Sequence, residues 1–314
     1  MNRLAHNPRL LLVIAIAIAV AAGFGSDGMN RYYLGVSIDV GIAIILAVSL
    51  NLINGHTGQF SLGHAGFMAV GGYTSAMLTI ALKKSLGEAA LDWLFLPCLA
   101  GGGLVAALAG LLVGVPSLRL KGDYLAIVTL GFGEIIRVIF QNMEAAGAAS
   151  GLTGIPKLSG LGWTFSIAAV TVYVVGALVN STYGRGFIAV HDDEVAASSM
   201  GINPTRYKVN AFVIGAFFAG VAGGLYAHHK TFLSPTGFDF MKSFEVVVMV
   251  ILGGMGRTAG VILAAVILTL LPEFLRSVAE YRMILYSLLI IGLMMARPQG
   301  LFTFSRTRRT VPQS

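Results

Sequence analysis

Charge is scarce in this chain. Only 11% of its 314 residues are Asp, Glu, Lys or Arg, against about 25% in an average soluble domain. So few charges cannot cover a water-exposed surface of this size, which excludes most cytoplasmic enzymes, disordered chains and nucleic-acid-binding modules. The net charge of +7 does not alter this, because the basic residues are scattered. One cysteine, Cys98, excludes an internal disulfide framework and any multi-cysteine metal site. Several motifs are missing as well. There is no G-x-x-x-x-G-K-[ST] loop to wrap phosphates, no H-E-x-x-H and no G-x-S-x-G. The chain alone therefore has no means to hydrolyse ATP and no catalytic constellation. His228 and His229 are adjacent and do not easily face one metal, so no metal site is expected.

What is abundant is apolar: 56% of residues are hydrophobic, and mean hydropathy is +0.81. Forty glycines without a G-X-Y period point to close helix packing and interrupted helices rather than collagen. A bilayer core of about 30 Å takes about 20 apolar residues per helix. Candidate segments run over Leu10–Phe24, Tyr33–Ile53, Phe60–Leu82, Leu94–Val115, Tyr124–Phe140, Trp163–Val179, Val209–Ala227, Phe244–Gly254, Ala259–Leu275 and Met283–Ala296. The expected fold is all-α: one polytopic membrane domain over 1–314, with about eight to ten transmembrane helices and Gly-rich broken or re-entrant segments. Phe244–Gly254 is too short to span alone. It either re-enters or continues through Gly256 and Arg257 into the next segment. Lys and Arg fall more heavily on the side shared by both termini, most densely in Arg306-Thr307-Arg308-Arg309. Both termini are therefore expected in the cytoplasm. The first 25 residues can also be read as a signal peptide cut near Ala19-Val20-Ala21, but an uncleaved first helix is usual in a polytopic chain.

Ionisable groups at membrane depth are costly and mark pathways or paired structure. Glu134 and Arg137, three apart, share a helix face and form a possible intramembrane ion pair. The pairing reads more readily as structural than as a gate. Asp39 and Glu273 fall near segment ends, where they reach water, and Glu245 is placed to cap its short segment. No chain of acids and histidines suggests a proton relay. Gly110/Gly114, Gly220/Gly224 and Gly256/Gly260 have the spacing of close helix packing.

Two stretches stand out. Asn51 to Tyr73 mixes Gly55, Gly58, Gly63, Gly66, Gly71 and Gly72 with polar residues. Backbone freed from helix inside a membrane must find partners, and its groups can also bind a polar solute. Asn51, Asn54, Gln59, Ser61 and His64 are thus candidates for a translocation path. An inner loop followed by a helix packed through small residues fits the pattern equally well. The second stretch is a polar island over about 181–208. Within it Glu194–Met200 forms a short helix capped by Asp192 or Asp193 and stopped at Gly201. It is either an ordinary surface helix or a handle for a partner.

At this point the residues resemble a known family. Asn51-Leu52 with Gly55, Gly58 and Ser61-Leu62-Gly63-His64-Ala65-Gly66-Phe67 is similar to the signature of branched-chain amino acid ABC transporter permeases. Gly122 to Gly131, Gly184 to Val190, Gly253-Gly254-Met255-Gly256 and Arg297 to Phe302 resemble its LivM-type members. The resemblance runs over about residues 34–303. It implies a subunit of an ATP-driven importer of Leu, Ile and Val in the cell inner membrane, with no cofactor of its own. ATP would be bound by separate ATP-binding subunits. A second, LivH-type permease and an extracytoplasmic solute-binding protein would complete the complex, with membrane lipid around it. The same resemblance covers importers of other amino acids, amides or urea, and a stand-alone secondary carrier is the remaining alternative. ABC permeases carry a coupling segment of the pattern E-A-A followed by Gly. Here Glu194, Ala196, Ala197 and Gly201 match it, with Asp192 and Asp193 leading in and Val195 interrupting the triplet. Because a solute-binding protein would select the ligand, no sharply defined pocket is expected.

Overall fold

In a computed structural model the described residues are 8–24, 28, 30–87, 91–117, 122–275 and five positions between 287 and 295. Most of the last candidate segment, the closing Arg297–Phe302 motif and the basic tail lie outside them. The secondary structure is helical throughout: α1 (Pro8–Phe24), α2 (Arg31–Asn51), α3 (His64–Leu86), α4 (Leu91–Ser117), α5 (Asp123–Asn142), α6 (Leu161–Val179), α7 (Gly184–Asp192), α8 (Glu194–Ser199), α9 (Pro204–Lys230), α10 (Phe240–Gly253) and α11 (Thr258–Phe274). A single turn of π-helix, Leu52–His56, prolongs α2, and short 3₁₀ turns join α5 to α6 and α9 to α10.

Among the described residues, five helical stretches are long and apolar enough to cross a membrane: Arg31–His56, His64–Leu86, Leu91–Pro116, Leu161–Val179 and Pro204–Lys230. Leu11–Gly23 and Thr258–Phe274 are shorter apolar helices. The chain is a polytopic membrane protein. On α4, Leu104, Leu108 and Leu112 form one outward stripe, the face that lipid solvates at no hydrophobic cost.

α2 and α9 are the hub. α2 is buried almost continuously from Ile38 to Asn51, and α9 packs most extensively on α4 and α3. Glycine makes that packing possible. Gly71 faces Gly220, and Gly72 lies against Gly223. A β-carbon on Gly223 would overlap the Met68 carbonyl oxygen. Gly110 and Gly114 of α4 receive Ala216 and Phe212 of α9, while Gly220 and Gly224 receive Ala106 and Leu99. Backbones this close gain dispersion contacts that larger residues would prevent.

Phe244–Gly254 proves to be part of α10, which starts four residues earlier than the hydropathy suggests. Asp239, not Glu245, caps it, accepting the Lys242 amide at 3.1 Å. α10 and α11 do not run on as one broken unit. They fold back on each other through Gly254–Arg257, with Gly253 against Val261. Glu245 instead pairs with Lys242 at 2.8 Å.

Candidate functional site

The polar stretch after α2 is a break that turns back into the bundle. α2 loosens into π-helix at Leu52–His56, the chain runs non-helically to Gly63, and α3 begins at His64. Ser49 Oγ lies 2.9 Å from His64 Nε2, so the first residue of α3 sits beside the last turn of α2. The return places the start of α3 within the bundle. The start of α10, approaching from the other end, meets it there: the Ala65 amide donates to Ser243 Oγ at 3.0 Å.

The backbone released by the break is satisfied largely by side chains, as a dry interior demands. Asn54 Oδ1 accepts the Ser61 amide at 3.2 Å, and its amide donates to the Ser61 carbonyl at 3.4 Å. Thr57 Oγ1 donates to the Ile53 carbonyl at 2.7 Å, and Thr129 Oγ1 of α5 accepts the Leu62 amide at 3.0 Å. Asn51 Oδ1 accepts the Gly256 amide at 2.9 Å, which ties the break to the turn between α10 and α11. Asn51, Asn54, Gln59, Ser61 and His64 are all buried. Asn51 and Asn54 act as braces. Both amide atoms of Gln59, Ser61 Oγ and His64 Nδ1 are buried without a hydrogen-bond partner among the described residues.

The polar island forms two helices rather than one. α7 ends at Asp192, and Asp193 caps α8, its Oδ1 accepting the Val195 and Ala196 amides at 2.8 and 3.0 Å. Past α8 the chain turns through Gly201, at φ +82°, a left-handed conformation that glycine takes without steric cost. The Ile202 amide then returns to the Ala197 carbonyl at 3.0 Å. α8 is held to α9 by buried Ala197 and by Lys208 Nζ donating to Glu194 Oε2 at 2.9 Å. Its other face is open, with Val195 71% and Met200 83% exposed. Asp192 and Ala196 are exposed too.

The island and the break touch. Gly58 has φ +67°, and a β-carbon on it would stand 3.2 Å from His191 Nδ1 at the end of α7. This contact joins residues far apart in sequence, and hydropathy gives no sign of it. Glu134 and Arg137 lie on α5, where Arg137 Nε donates to Glu134 Oε2 at 2.7 Å with both side chains about a third exposed or less.

Toward the opposite end, Asp39 of α2 pairs with Lys230 at 2.8 Å and has His229 at 3.9 Å. Tyr32 of the first turn of α2 donates to Glu273 near the end of α11. Asp39, Lys230, Lys242 and Glu245 line a cavity of about 240 Å³. No sharply defined pocket was expected, on the ground that a solute-binding protein would select the ligand; the walls of this one come from helices far apart along the chain. His228 is taken up structurally, bonded to Thr79 Oγ1 at 2.9 Å and to the Gly224 carbonyl at 2.7 Å. Among the described residues no group of three or more His, Cys, Asp or Glu side chains is placed to hold a metal ion.

The described residues thus form a membrane bundle in which one helix is broken in the interior and a pair of short, exposed helices lies against the break. Comparison with known proteins gives the family. The family model described as branched-chain amino acid transport system / permease component matches residues 32–296. The chain belongs to this family of ABC transporter permeases; it is a transporter subunit and not a catalytic one. It is 41% identical to the high-affinity branched-chain amino acid transport system permease protein LivM of Salmonella typhimurium, over 84% of this chain and 68% of that one. It is 40% identical to the Escherichia coli LivM over the same shares. The Salmonella typhimurium permease LivH is 24% identical over 87% of this chain and 94% of its own length. No solved structure matches the chain significantly.

Proposed function

We propose that this chain is one of two membrane subunits of an inner-membrane importer of branched-chain amino acids, driven by ATP bound on separate subunits. Its partners are one or two ATP-binding subunits, a second permease of LivH type and an extracytoplasmic solute-binding protein. Both termini, the break and the α7–α8 island are cytoplasmic, and the cavity lined by Asp39 opens outward. The excess of Lys and Arg on the side that holds the island, with Arg185, Arg206 and Lys208 among them, supports this orientation.

The observation that carries the mechanism is the seat of His191 on Gly58. Asp192, Asp193, Glu194, Ala196, Ala197 and Gly201 form the handle. Val195 and Met200 are its exposed apolar contacts, suited to a groove on an ATP-binding subunit. Closing of the ATP-binding subunits displaces α7 and α8, and His191 carries that displacement into the break. Gln59, Ser61 and His64 have polar atoms without partners among the described residues, and opening the segment gives them water or solute to bond. They therefore line the path in the inward-facing state. To take such a two-state equilibrium from 1:99 to 99:1, ATP must favour one state by about 5.5 kcal/mol.

The test is ATP-dependent leucine uptake by the reconstituted assembly, with Asp192→Lys/Asp193→Lys and Gly201→Pro as variants. Uptake and co-purification of the ATP-binding subunits should both fall while the variants still insert in the membrane. Accumulation of leucine by this chain alone, without nucleotide, would overturn the proposal.

A further inference from the structure

The cavity between α2, the end of α9 and the start of α10 has an unusual lining for membrane depth. Asp39 lies about 12 Å along the axis from the start of α2. Beside it are Lys230, Lys242 and Glu245, joined as the pairs Asp39–Lys230 and Lys242–Glu245, both at 2.8 Å. Each of these side chains is about a third exposed, so water reaches them. The rest of the wall is apolar, chiefly Leu46, Met68, Val246 and Met249. Thr269 adds a hydroxyl that is buried without a hydrogen-bond partner among the described residues. A neighbouring hollow of about 340 Å³ shares Tyr226 and Lys230 and extends to the turn after α9.

Two cations and two carboxylates around a greasy floor select against any ligand with net charge. A lone anion or cation would add an unbalanced charge at a partly dehydrated site. A zwitterion adds one charge of each sign, and each joins an existing pair, so none is left uncompensated. The volume of about 240 Å³ falls below the ~300–1,000 Å³ of pockets for drug-sized ligands and suits a single amino acid. Building on the importer reading, we propose that this cavity seats a zwitterionic aliphatic amino acid during its passage. Lys230 and Lys242 receive the carboxylate, Asp39 and Glu245 the ammonium, and Leu46, Met68 and Met249 the side chain.

The experiment uses the assembled transporter in nanodiscs, with Cys98→Ala and with Ala43→Cys on the cavity wall as its thiol probe. Labelling by a small uncharged thiol reagent is followed with and without leucine, isovalerate (carboxylate only) or isoamylamine (ammonium only). Leucine should slow labelling about tenfold at saturation, and the two single-charge analogues should not. Asp39→Asn and Glu245→Gln should each raise the half-protecting leucine concentration at least about tenfold and lower ATP-driven uptake, while the ATP-binding subunits still co-purify. The exchanged pair Asp39→Lys/Lys230→Asp keeps the ion pair for folding and should still disturb protection. Protection by either analogue equal to that by leucine overturns the zwitterion assignment. Absence of leucine protection, or variants that retain full uptake, overturns the site while leaving the importer reading intact. Failure of the unsubstituted assembly to take up any amino acid with ATP overturns the importer reading itself.

Discussion

Replacing Asp193 by alanine removes the two hydrogen bonds, at 2.8 and 3.0 Å, that start α8. α8 has six residues, far fewer than the ~12–15 a helix needs to be even marginally stable alone. Its order depends on Asp193, on the turn at Gly201 and on the Glu194–Lys208 contact. Losing an N-cap of this kind costs about 1 kcal/mol, which is about a fivefold change in the ratio of ordered to frayed helix. At limiting ATP-binding subunit, Asp193→Ala should therefore lower ATP-driven uptake and subunit co-purification by up to about fivefold. Asp193→Asn keeps an acceptor oxygen in the same place and should stay within about twofold of the unsubstituted protein, because Asn and Asp are nearly equal N-caps. The assay is uptake in proteoliposomes of defined composition, with co-purification measured in parallel. If Asp193→Ala has no effect, α8 is not the handle. If Asp193→Asn is as damaged as Asp193→Ala, the charge matters rather than the cap, and the structural argument fails.

Gly223→Ala should destabilise the bundle by about 1–3 kcal/mol through overpacking against Met68, seen as a lower midpoint of thermal unfolding in detergent. Gly131→Ala on α5 meets nothing within 4 Å and should leave the midpoint unchanged or raise it slightly through helix propensity. Gly58→Ala, forced to keep φ near +67° beside His191, should cost about 1–2 kcal/mol and depress uptake more than membrane insertion. Gly58→Asn should recover part of the backbone cost, since Asn tolerates that conformation. For Glu134 and Arg137, about a third exposed or less at 2.7 Å, a double-mutant cycle on thermal unfolding should give a coupling below about 1 kcal/mol if water screens the pair. A larger value would mean the pair is enclosed by lipid.

Much of this protein is legible along the chain because the membrane imposes a local rule: backbone polar groups must be satisfied within the segment, so long apolar runs become helices. The sequence by itself determined the all-helical class and the positions of the long spans. It also marked the short capped helix at Glu194, and it singled out the glycine-rich stretch after Asn51 without deciding between a break inside the bundle and an inner loop. Each follows from residues within a few turns of one another. Tertiary structure alone decided what meets what: His191 against Gly58, Asn51 against Gly256, and Asp39 against Lys230. It also turned α10 and α11 into a hairpin and so brought Lys242 and Glu245 to Asp39. Helical periodicity tells which face of a segment is apolar or small but not which helix will cover it. That choice is made when glycine faces such as Gly71 and Gly220 come into contact and set the register of everything attached to them.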